Sequence, residues 1–85
     1  MAYTIVITKI AKRDIEALER VERKRLGKKL LHAASLSDLS SVAKQLTNSA
    51  IGTYRLRVGS YRVLFDIEGH TMLILRVQHR REVYR

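Results

Sequence analysis

An α+β fold is predicted, with the order β-α-α-β-β-β and a helical hairpin packed on one face of a mostly antiparallel sheet. Three features of the sequence predict it. Strand-like alternation occupies the first residues and the last third of the chain, and helical spacing of apolar residues fills the stretch between. Two glycine-marked turns, at Gly59 and Gly69, divide the last third into three strands. A chain of 85 residues has room for one domain, residues 1–85, and a 46% hydrophobic share excludes wholesale disorder. There are no cysteines, so a disulfide framework and a thiolate metal cage are both excluded.

The elements follow in order. Over Ala2 to Thr8, Tyr3, Ile5 and Ile7 fall on one face and Thr4, Val6 and Thr8 on the other. Thr8 can cap a helix beginning at Lys9. From Lys9 to about Leu36 the spacing is helical, carried by Ala11, Ile15, Leu18 and Val21 and then by Leu26, Leu30 and Ala34. Glu16 and Arg20, like Glu19 and Arg23, stand as acid-before-base i,i+4 pairs. One straight helix of that length would outreach so small a domain, so two helices are expected, breaking near Arg20 to Arg23. Ser35 to Ala50 is rich in Ser, Asn, Asp and Thr and reads as loop, with a short ordered piece at Lys44-Gln45-Leu46. Strands are expected at Thr53 to Val58, Tyr61 to Ile67 and Thr71 to Val77, joined by tight turns at Gly59-Ser60 and Glu68-Gly69-His70.

No apolar run approaches the roughly 20 residues of a membrane span, and the N-terminus lacks the layout of a signal peptide. A cytoplasmic protein is expected. The charge is more informative. Seventeen Lys+Arg against eight Asp+Glu leave +9, which points to a polyanionic or strongly acidic partner. All the lysines lie at or before Lys44, whereas the strand region and tail carry only arginine: Arg55, Arg57, Arg62, Arg76, Arg80, Arg81 and Arg85. Solubility is served by either residue; bidentate phosphate recognition favours arginine.

Alternation places Tyr54, Leu56 and Val58 on one face of their strand and Arg55 and Arg57 on the other. On the next strand Tyr61, Val63, Phe65 and Ile67 are apolar and Arg62, Leu64 and Asp66 lie opposite. A two-residue turn at Gly59-Ser60 pairs Arg57 with Arg62, and a three-residue second turn would bring Arg76 to the same side; a two-residue one would flip the third strand. Like charges directly opposite each other in a sheet are destabilising. Such a face either binds phosphate or is a solvated surface softened by Asp66 and Glu68.

Two segments carry a family likeness: Gly52-Thr53-Tyr54-Arg55-Leu56-Arg57-Val58-Gly59-Ser60-Tyr61-Arg62-Val63, and Val77-Gln78-His79-Arg80-Arg81-Glu82-Val83-Tyr84-Arg85. With Ala11 to Leu18 as a first helix, the chain resembles the RelE/ParE toxin superfamily, the toxin half of toxin–antitoxin pairs. The resemblance implies the microbial RNase-like RelE fold and an mRNA interferase that cuts messenger RNA at the ribosomal A site without metal or other cofactor. It also implies a cognate acidic antitoxin as partner, in a hetero-oligomer. Relatives of ParE type share the fold and inhibit DNA gyrase instead, and a catalytically inactive nucleic-acid-binding or antitoxin-partner module is a third possibility.

Residue by residue, the resemblance gives Arg62 the transition-state charge and Arg80, or Arg81, the leaving group. Tyr84 would stack on a base or help orient the reacting nucleotide, while Arg55, Arg76, Lys44 and Arg85 would hold RNA. Arg55 and Arg57 stand where RelE has lysines, one a proposed general base. Arginine stays protonated at neutral pH, so Arg57 can stabilise charge but makes a poor base. His79 is then either a proton shuttle or, on the plainer reading, a phosphate contact or an ordinary surface residue. The isolated histidines His32, His70 and His79 show no metal-ligand spacing.

Overall fold

The computed structural model describes residues 3–39, 42–45 and 54–79. Strand β1 (Thr4–Ile7) leads into helices α1 (Lys9–Glu16) and α2 (Arg20–Ser35), followed by β2 (Ala43–Gln45), β3 (Tyr54–Val58), β4 (Tyr61–Glu68) and β5 (Thr71–His79). The five strands form one mixed sheet in the order β1-β5-β4-β3-β2, with β1 parallel to β5 and every other pair antiparallel. The expected α+β order is present, with β2 as an added edge strand.

Local chemistry starts each element. The Thr8 backbone is extended and its Oγ1 accepts a hydrogen bond from the Ala11 N–H at 3.1 Å, satisfying one of the unpaired amides that open a helix. Helix α2 buries Leu26, Leu30, Ala33 and Ala34, a single stripe at helical spacing. The small side chains at its end allow close approach, and the Tyr3 N–H donates to the Ala34 carbonyl at 3.0 Å. Phe65, Leu56, Met72, Ile74 and Val63 are fully buried beneath the helices, each stabilising the fold by about 1.5–3 kcal/mol. Tyr54 and Phe65, opposite each other on β3 and β4, stack with ring centroids 5.4 Å apart.

Strand β1 pairs only with Thr71–Ile74, so the second half of β5 runs past it. Helix α1 covers that edge. The Thr8 N–H donates to the Ile74 carbonyl at 3.1 Å and its hydroxyl to the Leu75 carbonyl at 3.2 Å. One turn further, Asp14 Oδ2 accepts from the Val77 N–H at 2.9 Å and from Arg76 Nε at 2.9 Å, while Arg76 Nη2 reaches Oδ1 at 3.3 Å.

Several expectations are corrected. The helix breaks at Ala17–Glu19, earlier than Arg20 to Arg23: the Leu18 N–H bonds back to the Ile15 carbonyl at 3.0 Å, and Glu19 takes an extended backbone as the N-cap of α2. Leu18 packs against the core, which secures the break without glycine or proline. Because α2 starts in a new phase, Val21 is 64% exposed, not part of the core stripe. The break also separates Glu16 from Arg20 onto different helices. Neither expected i,i+4 pair is present; the helical ion pair is Glu22–Arg25, at 3.7 Å. Ile7 is exposed, unlike its expected face-mates Tyr3 and Ile5, which pack against the core. Leu46 and Thr53, at the ends of two expected elements, lie outside the described residues. Among the described residues no helix is long and apolar enough to cross a membrane.

Asp14 ties α1 to both the side chain and the backbone of β5, so its loss should cost more than that of its ion-pair partner. Asp14→Ala is expected to lower stability by about 2 kcal/mol in urea unfolding, since it removes three hydrogen bonds, one of them from a backbone amide. Arg76→Ala, which keeps the Val77 bond, should cost about half as much. Equal losses would show that the ion pair, not the backbone bond, holds α1 in place.

Candidate functional site

The β3–β4 hairpin builds the site. Gly59 takes φ +58°, a left-handed conformation that suits glycine, and with Ser60 closes a two-residue turn. The expected register results: Val58 pairs with Tyr61 and Arg57 with Arg62. From the side of α2, Arg25 lies against the turn, so that a Cβ at Gly59 would meet Arg25 Nη1 at 3.2 Å.

The second turn differs from expectation. Glu68 pairs with Thr71, leaving the two-residue turn Gly69-His70, which alone would send Arg76 to the core side. A bulge compensates. Phe65 pairs with Ile74 but Leu64 with Arg76, so Leu75 is the extra residue and Arg76 returns to the face of Arg62. The residue directly opposite Arg62 is Gln78, which sequence reasoning missed because it needs both the turn length and the bulge.

One face of the sheet therefore collects Lys44, Arg55, Arg57, Arg62 and Arg76. Lys44 stands opposite Arg55 and Arg57 opposite Arg62, two like-charge cross-strand pairs. Arg57 is exposed at the surface. Arg62 is only 2% exposed and Leu64 8%, so this face, expected to be open, is closed over at its centre. Arg57, Gly59, Ser60, Tyr61 and Arg62 line a cleft of about 40 Å³, room for a small anionic group. Arg76 is engaged by Asp14, which leaves it less available to a ligand than Arg57.

His79 is not brought to Arg62. It pairs with Tyr61, whose ring meets the imidazole edge-on at 5.2 Å between centroids, and it lines a different cleft together with Glu19, Glu22 and Arg25. Alternation along β5 gives Arg62 a carboxamide neighbour in place of an imidazole. Arg80, Arg81, Tyr84 and Arg85 lie outside the described residues.

Comparison with known proteins supplies the family. The model of the ParE toxin of type II toxin–antitoxin systems, parDE, matches residues 5–84. This chain belongs to the RelE/ParE toxin superfamily. Toxin RelG of Mycobacterium tuberculosis is 36% identical over 94 aligned positions, which cover 100% of this chain and 99% of RelG. Toxin RelE3 of Methanocaldococcus jannaschii is 38% identical over 50 positions, 59% of this chain and 56% of that protein. Among solved structures, the RelBE2 toxin–antitoxin complex of M. tuberculosis aligns at a TM-score of 0.80 and 32% identity, covering 94% of this chain and 100% of its counterpart. The isolated RelE toxin of E. coli aligns at 0.72 and 22% identity, over 98% and 92% of the two chains, a likeness of fold. The superfamily's sheet thus presents, in this member, a face of paired cations around a buried arginine.

The turn that aligns Arg57 with Arg62 can be tested through its glycine. Gly59→Ala forces a side chain into a left-handed conformation and against Arg25, and is expected to lower the melting temperature by about 4–8 °C, a loss of about 1 kcal/mol. Gly27→Ala has the opposite sign. Gly27 lies inside α2 and a Cβ there meets nothing within 4 Å, so the substitution should add about 0.5–1 kcal/mol through helix propensity. A neutral Gly59→Ala would mean that the turn tolerates other geometry.

Proposed function

We propose that this toxin is an mRNA interferase that cleaves messenger RNA at the ribosomal A site, acting in the cytoplasm as a single domain. The observation that carries the reading is the Arg57–Arg62 pair with Arg62 buried. Two like charges set opposite each other weaken a sheet, and taking a guanidinium out of water carries a desolvation cost that its partners must offset. Both suit a site where negative charge develops.

In this reaction the ribose 2′-OH attacks the adjacent phosphorus in line. The P–O5′ bond breaks, the products are a 2′,3′-cyclic phosphate and a 5′-OH, and the attacking proton is balanced by one delivered to the leaving oxygen. Charge builds on the non-bridging oxygens, where Arg62, fixed by its surroundings before substrate arrives, stabilises it without reorganising. Arg57 holds the phosphate from the exposed side. Arg55 and Lys44 continue the cationic face along the flanking strand and hold the RNA backbone. Arg80 or Arg81 at the leaving group and Tyr84 stacked on a base complete the set that the resemblance implies. This reading takes no cofactor and gives His79 no part at the phosphate. A site rich in charge and poor in bases gains most from a substrate held in line, and a ribosome can supply that positioning.

An acidic antitoxin is the expected partner. The RelBE2 toxin–antitoxin complex of M. tuberculosis is among the solved structures that this chain resembles, and a net charge of +9 favours an acidic segment that folds over the basic face. A second reading is supported by the matching family model, which describes a ParE toxin: the same face would then dock on DNA gyrase and cut nothing.

Single-turnover cleavage on programmed ribosomes separates the two. Arg62→Ala is expected to slow cleavage by about 10²–10³-fold, the usual loss on removing a transition-state donor. Ribosome binding should change little. Cleavage by Arg62→Ala at the wild-type rate would remove Arg62 from the chemistry. Intact messenger with halted DNA supercoiling would establish the gyrase reading instead.

A further inference from the structure

Helix α2 carries Arg25, Lys28, Lys29 and His32 at spacings of three and four residues, so they form one stripe roughly 10 Å long on its surface. Like charges at these spacings destabilise a helix. The stripe forms one wall of a groove of about 370 Å³, and the opposite wall is Arg57, Val58 and Gly59 of the hairpin. Among the described residues no carboxylate lines the groove. The neighbouring cleft on the far side of Arg25 does carry carboxylates, Glu19 and Glu22, which bounds the cationic groove at that end.

Arg57 belongs both to this groove and to the small cleft beside Arg62. An anionic polymer seated at Arg62 can therefore pass around the hairpin without leaving cationic surface. We infer that the α2 groove is a second, separate binding site for the phosphodiester backbone of single-stranded RNA. There Lys28 and Lys29, with Arg25 and His32 flanking, hold the strand that extends from the Arg57–Arg62 site. This rests on the RNA reading given above. The occupant is a nucleic-acid backbone and not a peptide helix, because the groove offers cations along its length but only Val58 as an apolar side chain, where a docked helix requires a row of apolar anchors.

The test uses the full-length chain and fluorescent 2′-O-methyl RNA, which binds but cannot be cleaved. Oligonucleotides of about four and about twelve nucleotides are compared, the shorter reaching only the Arg57–Arg62 site. The double variant Lys28→Ala, Lys29→Ala puts good helix formers in place of one exposed and one half-buried lysine and should fold, which far-UV circular dichroism verifies. For the longer RNA, the slope of log affinity against log salt should become shallower by about 1.4, two phosphate contacts at about 0.7 each. For the shorter RNA the slope should stay at the wild-type value.

Unchanged slopes for both lengths overturn the groove and leave the cleavage reading standing. Equal losses on both lengths overturn it as well, since the lysines would then act only through overall charge. Loss of affinity for an acidic peptide, with the RNA slopes intact, would assign the groove to a protein partner. Wild-type protein that binds neither RNA overturns the groove together with the RNA reading on which it rests.

Discussion

The architecture depends on how β5 is held along the half that β1 does not reach. A strand edge left open there would expose backbone donors beside the most charged part of the molecule. Asp14 closes it from α1, accepting from the Val77 amide and from Arg76 with one carboxylate. The arrangement requires the bulge at Leu75, because only that extra residue puts Arg76 on the face away from the helices while Val77 stays in the core. Sheet irregularity, helix docking and the placement of one arginine are thus a single solution. The register that follows sets Gln78 opposite Arg62 and turns His79 toward Tyr61.

How much of this is legible in the sequence depends on how local the cause is. The Thr8 cap and the Gly59-Ser60 turn are written in one or two residues, and they yield the start of α1 and the pairing of Arg57 with Arg62. The face carrying Arg55, Arg57 and Arg62 follows from alternation alone. What escapes is set by distant contacts. The helix break is fixed by Leu18 packing into the core, with no glycine or proline to announce it. Strand β2 has three residues, too few for alternation, and forms because β3 offers it an edge. The bulge reverses the consequence of the second turn, and no residue near Leu75 signals it. His79 is the clearest case: its chemistry nominates it for proton transfer, and a register unreadable from spacing places it elsewhere. Arg62 lies on the face that alternation gives it, but its burial depends on what closes over the sheet.

Charge is distributed over this small protein with little neutralisation by its own acids. Asp14 answers Arg76 and Glu22 answers Arg25, while Lys44 stands opposite Arg55 and Arg57 opposite Arg62. A molecule so arranged stores electrostatic free energy that only a partner releases. On the proposed reading, nucleic acid and an acidic protein segment would draw on the same store, and each would exclude the other wherever they share Arg57.

The buried guanidinium at position 62 has an evolutionary consequence. On the proposed reading, the residue tied most closely to the chemistry is also one held inside the fold, where removing a single member of a buried charged contact is destabilising. A substitution at Arg62 that silenced the toxin would therefore also thin its stability margin, and the harmless copy would compete for antitoxin less well than the harmful one.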